Sequence, residues 1–381
     1  MDVQDLRKEI ADLINVKEQI TFADYMELAL YHPGYGYYTS GKEKIGKRGD
    51  FYTSSDVHSV FGELIARQLE QMWRDLGSNR FTVVEIGAGK GWLCHDILKC
   101  VKNEYPELFE KIDYKIVEVS QDLIKRQSNT LKGLEEKVSW ESFSEDGFSF
   151  NPIEGCFLSN EFIDSLPVHQ VVVENDCLKE VYVTIQDGEF CEKVDELSSH
   201  ELSEYFDNSK TDLKEGQRAE VNLKVLDWVK NISCCLSRGF VITIDYGHLA
   251  DALYSEERHK GTLMCYYEHT TSENPYERIG NQDITSHVNF SSIMEEGTRS
   301  GLNTTGFVRQ SNFLIALGIL NKMNDAQGDI SKLLTMKNLF LPGGMGDVFK
   351  VLIQHKGIDN PELIGLRSMS APGLAKEIEG R

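Results

Sequence analysis

The residues with the clearest capacity for chemistry lie in one short run. Glu85-Ile-Gly-Ala-Gly-Lys-Gly91 sets glycines at 87, 89 and 91 directly behind an apolar stretch and ahead of a helical pattern. Backbone without side chains can pass close to a ligand there, and the first N–H groups of the following helix face it. The spacing restricts which ligand. A dinucleotide fingerprint, G-x-G-x-x-G, needs its third glycine three residues after the second. Here it comes after two, and Trp92 stands in the required place. A hydride-transfer cofactor, and with it an NAD-dependent oxidoreductase, is disfavoured. A phosphate loop needs Lys followed by Ser or Thr to hold magnesium, and Lys90 is followed by Gly91. The pattern E-x-G-x-G-x-G suits a ligand without pyrophosphate, whose amino-acid carboxylate and ribose the loop holds: S-adenosylmethionine. The run Tyr114 to Glu118 adds an acid about 30 residues beyond the glycines. A carboxylate there can accept from both hydroxyls of a ribose. A tight turn and a strand-end acid on any α/β sheet is the plainer alternative, and these features alone leave it open.

Elements must position this run, and the hydrophobic pattern supplies them. Strand-like apolar runs recur at Phe81–Ile86, Tyr114–Val119, Gly155–Ser159, Phe240–Asp245 and Asp347–Gln354, with helical patterns at Leu93–Lys102 and Leu123–Leu131 between the first of them. Alternation of strand and helix predicts an α/β fold with a parallel sheet. About 80 residues precede it with helical patterns of their own, at Asp5–Ile14, Phe22–Tyr31 and Ser59–Leu76. A polar, strand-rich stretch from Val171 to Leu213 reads as an insertion, with Asp187-Gly188 marking a hairpin turn. After Asp245-Tyr246-Gly247, a long turn-rich segment through Asn289 carries Tyr266, Tyr267, His269, Arg278 and the run GNQDITSHV. Loops of that length in compact domains are functional or disordered, and the aromatics argue against disorder. The divisions expected are 1–78 as an N-terminal helical lid or accessory region and 79–357 as the catalytic domain, with an insertion at about 171–215 and a substrate-side segment at about 248–300. Residues 358–381 form a tail. Its last four residues, Ile378–Arg381, spell a protease-recognition sequence, so everything from about Ala371 is set aside.

Composition narrows the class further. The 381 residues carry 40 Lys and Arg against 61 Asp and Glu, a formal charge of −21, with no dense basic cluster to follow a phosphate backbone. No nucleic-acid partner is expected, and a basic partner is easier to accommodate. The eight cysteines include no C-x-x-C pair and read as reduced core thiols; adjacent Cys234 and Cys235 read as part of a buried helix face. No apolar run of membrane-spanning length appears, and MDVQDLRKEI has the composition of neither a signal nor a transit peptide. A cytoplasmic protein without membrane insertion is expected.

Over nearly its whole length the chain resembles the MidA-like S-adenosylmethionine-dependent methyltransferases, a class I group whose mitochondrial members methylate an arginine of a respiratory complex I subunit. The matching stretches are FADYMELALYHPGYGYY, GKRGDFYTSSDVHSVFGELIA, VVEIGAGKG, IVEVSQDLIKRQ, LSNEFIDSLPVHQ, ITIDYGH, GTLMCYYEH, QDITSHVNFS and GGMGDVFKVLIQHKG, in shared order from about Ile20 to Gly357. The resemblance implies a seven-stranded, mostly parallel, Rossmann-like class I methyltransferase sheet with an N-terminal helical region and insertions. It implies S-adenosylmethionine as cofactor, S-adenosylhomocysteine as product and no metal. It places Glu85, Gly87, Gly89, Gly91 and Glu118 around the cofactor, folds Gly49-Asp50-Phe51 over it, and sets Asn160-Glu161 and Asp164 where the methyl group points. A protein arginine is the implied acceptor, in a protein substrate of respiratory-complex-subunit type, with room for a homodimer. A non-catalytic assembly or chaperone factor that binds the cofactor is the alternative.

Methyl transfer from a sulfonium is an in-line displacement, so alignment is the protein's main task and few catalytic groups are needed. Glu161 and Asp164 could hold a guanidinium in a bidentate fork. The alternative is that Asn160 caps a short helix and the acids complement its dipole. The segment from Gly49 to Thr53 could equally be the entry turn of the next helix. His169 and His269 could act as bases, but carboxylates suit an arginine nucleophile better. Asp245-Tyr246-Gly247 ends a strand at the ligand-binding edge and could shape the substrate entrance.

Overall fold

Phe81–Ile86 is a run of six residues in which every side chain is buried. A strand buried on both of its faces has to lie inside a sheet covered on both sides, as parallel strands do. In the computed structural model, which describes residues 3–40, 59–144, 147–148, 150–209, 211–326, 328–341 and 344–367, that is its place. The chain divides into two units. One takes in the described residues of Tyr52–Phe162, Val229–Tyr246 and Glu296–Arg381, the other those of Met1–Phe51, Ile163–Trp228 and Gly247–Glu295.

The first unit is built on seven strands: β1 (Phe81–Ile86), β2 (Ile112–Val117), β3 (Val138–Glu141), β4 (Ile153–Asn160), β5 (Leu236–His248, through Tyr246 in this unit), β6 (Asn303–Arg309) and β7 (Phe349–Lys356). Their order is β6-β7-β5-β4-β1-β2-β3. Pairings from β5 through β4, β1 and β2 to β3 are parallel, while β7 runs antiparallel to both β5 and β6. Strand order reverses between β1 and β4, the switch point outside whose carboxyl ends open α/β sheets take their ligands. Register aligns those ends. Ile86 stands opposite Val117 on one side and Ser159 on the other, and Asn160 opposite Ile244.

Helix α1 (Val60–Asp75) turns Phe61, Leu64, Ile65, Leu69 and Met72 into the core, each no more than 1% exposed. That stripe at helical spacing is worth about 1.5–3 kcal/mol for each large side chain buried. It places α1 in the sheet-bearing unit, although its sequence position groups it with the N-terminal region. Helix α2 (Trp92–Glu104) buries Leu93, Cys94, Ile97, Leu98 and Val101. Helix α3 (Gln121–Thr130) is capped by Ser120, whose hydroxyl accepts from the Leu123 N–H. The start of the tail is also packed here. Leu363 is 2% exposed, and Gln68 Oε1 accepts from the Gly365 N–H at 2.9 Å.

The second unit holds helices Val3–Lys17 and Phe22–Tyr31 and an antiparallel sheet of Ile20–Thr21, His169–Glu174, Cys177–Gln186, Glu189–Asp195 and Arg218–Val221. Asp187 and Gly188 both have positive φ, 53° and 82°, between the paired residues Gln186 and Glu189. Two left-handed residues in a two-residue loop are the geometry an Asp-Gly hairpin favours. The insertion is not all strand, since Glu201–Ser209 is a helix. Met264–Tyr267 pairs with Thr270–Ser272 and Asp283–Thr285 in a small sheet. Among the described residues no helix is long and apolar enough to cross a membrane.

All eight cysteines are free. Cys94, Cys100, Cys156 and Cys265 are buried, as expected of core thiols, but Cys177 and Cys234 are exposed and Cys191 and Cys235 half-buried. Ile232 and Ser233 take the inward positions of their helix turn, which leaves Cys234 facing out and corrects the expectation of a buried pair.

Candidate active site

Behind β1 the chain turns through Gly87, Gly89 and Gly91 with φ of 70°, 53° and 80°, all left-handed. Side-chain-bearing residues adopt this region with difficulty, which is why glycines alternate here. At Gly87 a Cβ would also come within 2.8 Å of Phe162 Cδ2. Gly91 closes the turn, donating to the Ala88 carbonyl and accepting from His95 in the first turn of α2. Glu85, two residues earlier, is 3% exposed, and its carboxylate accepts from Tyr114 of β2 at 2.7 Å. Burial pushes its pKa from 4.5 up to about 7, with the Tyr114 hydrogen bond pulling the other way.

Glu118 follows the last residue of β2. One carboxylate oxygen accepts from the N–H groups of Val119 and Ser120 at 3.0 and 2.9 Å, and the other from Gln127 Nε2 at 3.0 Å. Burial raises its pKa, and the Ser120, Gln127 and Val119 hydrogen bonds lower it. Gln127 was not singled out by the sequence, although it ends the stretch IVEVSQDLIKRQ. It is fully buried on α3, and its amide also donates to the Gly89 carbonyl at 2.9 Å and accepts from Trp140 Nε1 of β3 at 2.8 Å. A buried amide nine residues beyond a strand-end acid was the available signal.

At the end of β4 Asn160 is 9% exposed. Its Nδ2 donates to Glu161 at 3.0 Å, and its Oδ1 has no hydrogen-bond partner among the described residues. Glu161 has φ of 53°, an uncommon conformation for a residue with a side chain. Two contacts from β5 bracket it. The Glu161 N–H donates to the Ile244 carbonyl at 2.9 Å, and the next N–H, of Phe162, donates to Asp245 Oδ2 at 3.2 Å. Asp245, 1% exposed, also accepts from the Tyr246 N–H.

The sheet edge therefore brings together Gly87, Gly89, Gly91, Glu118, Asn160 and Glu161. Asp164 belongs to the other unit, within the 3-10 turn Ile163–Ser165. It is 7% exposed, and its carbonyl accepts from the Ser286 N–H. In that unit His169 Nδ1 pairs with buried Glu180 at 2.7 Å, and His269 lies at a left-handed turn position. Gly49, Asp50 and Phe51 lie outside the described residues. The described residues contain no cluster of three or more His, Cys, Asp or Glu able to hold a metal.

The donor set at the edge fits S-adenosylmethionine. An acceptor amide oxygen awaits an ammonium at Asn160, a pinned carboxylate can take a diol at Glu118, and left-handed glycines admit a close ligand between them.

Comparison with known proteins agrees. A family model described as "Putative S-adenosyl-L-methionine-dependent methyltransferase" matches residues 64–308. The protein arginine methyltransferase NDUFAF7, mitochondrial, of Rattus norvegicus is 30% identical over 351 residues, 82% of this chain and 74% of the relative. Its Homo sapiens counterpart is 28% identical over 379 residues, 88% and 80% of the two chains. A Burkholderia thailandensis structure described as a "likely methyl transferase", bound to S-adenosyl-homocysteine, superposes with a TM-score of 0.86 at 31% identity, covering 95% of this chain and 94% of that one. The sheet is that of a class I, Rossmann-like methyltransferase, as the sequence implied. The chain belongs to the S-adenosyl-L-methionine-dependent methyltransferases, in their MidA-like group, and S-adenosylmethionine is its cofactor.

Proposed function

We propose that this enzyme methylates an arginine side chain of a protein partner. The observation that carries the reading is Glu161, a carboxylate at the switch point held in a left-handed conformation by two backbone contacts from β5. Strained residues of this kind persist where the surroundings over-determine them, and they cluster at functional sites. The relatives named protein arginine methyltransferases support the choice of acceptor.

S-adenosylmethionine, when bound, supplies an electrophilic methyl group on its sulfonium. Gly87, Gly89 and Gly91 would admit its methionine portion, Asn160 Oδ1 would accept from the ammonium, and Glu118 from the ribose hydroxyls. Glu85 is tied to the neighbouring strand through Tyr114. Glu161 would accept N–H bonds from the guanidinium, compensate its charge and direct one nitrogen toward the methyl group. Asp164, Gly49, Asp50 and Phe51 are assigned to this chemistry by the family resemblance alone. The family resemblance points to a respiratory-complex-type subunit as the partner.

Radiolabelled S-adenosylmethionine is incubated with proteins captured on the enzyme, and the labelled peptides are sequenced by mass spectrometry. Methyl-arginine is the expected product. Label on another residue type, or no label on any captured protein while S-adenosylhomocysteine binds, overturns the acceptor assignment.

A further inference from the structure

The amide of Gln127 joins three elements that sequence separates. Its two N–H donors go to the Gly89 carbonyl and to Glu118 Oε2, at 2.9 and 3.0 Å, and its oxygen takes the Trp140 indole N–H at 2.8 Å. These partners fix which way the amide points. Two acceptors on one side demand the NH2, and a donor on the other demands the oxygen. Gly91 leaves room for the side chain, since a Cβ there would stand 3.3 Å from Gln127 Cγ. Position 127 is fully buried, so the orientation is not shared with solvent.

We propose that Gln127 is a positioning residue that locks the Glu118 carboxylate to the Gly89 carbonyl, so that the ribose and the methionine portion of the cofactor are recognised in one fixed relation. The inference rests on the reading of Glu118 as the ribose acceptor. Without the amide, Glu118 Oε2 loses a donor that aims it, although Val119 and Ser120 still hold Oε1. The carboxylate can then rotate about its pinned oxygen, and the turn at Gly89 is released at the same time. Gln127 touches neither ligand nor acceptor in this scheme; it acts through its two neighbours.

The test is calorimetry of S-adenosylhomocysteine and of its 2′-deoxyribose analogue on wild type, Q127M, Q127E and E118A. Wild type is expected to favour the ribose ligand by about tenfold to a hundredfold, as for one hydrogen bond to a charged group. Q127M is expected to bind S-adenosylhomocysteine about tenfold more weakly and to narrow the preference to within about threefold. Q127E keeps the side-chain volume and the Trp140 acceptor but sets a carboxylate against Glu118, so it reports even if Q127M fails to fold. A merely structural residue would weaken both ligands alike and leave the preference intact, and that result in either Gln127 variant that folds overturns the proposal. E118A separates the two layers. If it loses the preference while the Gln127 variants keep it, the positioning role falls and the ribose reading stands; if E118A keeps the preference, the ribose reading falls and the proposal with it.

Discussion

Glu85 makes the sheet sensitive to pH in a direction opposite to that of most carboxylates. It is 3% exposed at the end of β1, and burial holds its pKa at about 7 against an ordinary 4.5. Below pH 4.5 the group is protonated in folded and unfolded chains alike and has no effect on stability. As pH rises from 4.5 to 7 the unfolded chain sheds the proton and the folded one keeps it, so stability is lost over that window and is constant above it. At 1.36 kcal/mol per pH unit, the gap amounts to about 3 kcal/mol. Glu85→Gln removes the titration and keeps an acceptor for the Tyr114 hydroxyl. The variant is expected to gain about 2–3 kcal/mol on wild type between pH 5 and pH 8, measured by urea unfolding at constant ionic strength. Its affinity for S-adenosylhomocysteine below pH 7 should stay within about threefold of wild type, because the native carboxyl is largely protonated there. A stability difference that does not change between pH 5 and pH 8 refutes the assignment of the buried proton to Glu85.

Gly89→Val forces a β-branched residue into φ of 53°, and S-adenosylhomocysteine binding is expected to vanish in calorimetry; unchanged affinity removes the glycine turn from the site. Glu161→Gln keeps shape and loses charge at the proposed acceptor contact, a loss of roughly 2–4 kcal/mol. Single-turnover methylation should then fall about 30- to 1000-fold with cofactor binding retained, and near-wild-type rates reject the role. Asp245→Ala frees the Phe162 N–H that helps hold Glu161. Turnover is expected to drop about tenfold or more at saturating cofactor, while Asp245→Asn, which keeps one acceptor oxygen for the Phe162 N–H but loses the other, recovers part of it; equal rates in both variants count against the bracket.

Five of the seven strands were legible because each carries a short cluster of apolar residues. β1 begins and ends where its sequence does, at Phe81 and Ile86. The two missed strands, β3 and β6, are the sheet's edges. β3 is four residues long, and no side chain of β6 is fully buried. An edge strand covered on fewer sides needs fewer apolar residues, and its pattern fades into that of a loop. The glycine turn and Glu118 were legible for a local reason, since φ preference and a strand-end acid are properties of neighbouring residues. Gln127 was not, because its three partners, at 89, 118 and 140, meet only once β1, β2 and β3 are in register. The left-handed backbone of Glu161 was equally hidden, as nothing in the residue type suggests it and the contacts that impose it come from β5, more than 80 residues on.

Parallel register turns these distant positions into one rim. With Ile86 level with Val117 and Ser159, and Asn160 level with Ile244, the residues that follow in each strand leave the sheet at one edge. What the rim then does to its acids is consistent from one to the next. Glu118 is held by three N–H donors, Asp245 accepts from two backbone N–H groups, and Glu161 is fixed through its own backbone. A carboxylate serving as a general acid needs a tuned proton affinity, and a rim built for that purpose would surround its acids with apolar walls or like charges. At Glu118 burial does raise the pKa, but the three donors oppose that shift and fix the direction of the carboxylate. Displacement at a methyl carbon is governed by distance and angle, so fixed direction is the property that reaction rewards. Glu85, whose carboxyl burial raises to about 7, is buried within β1 and accepts from Tyr114 of the neighbouring strand, so its proton affinity is set by the sheet interior and not by donors at the edge.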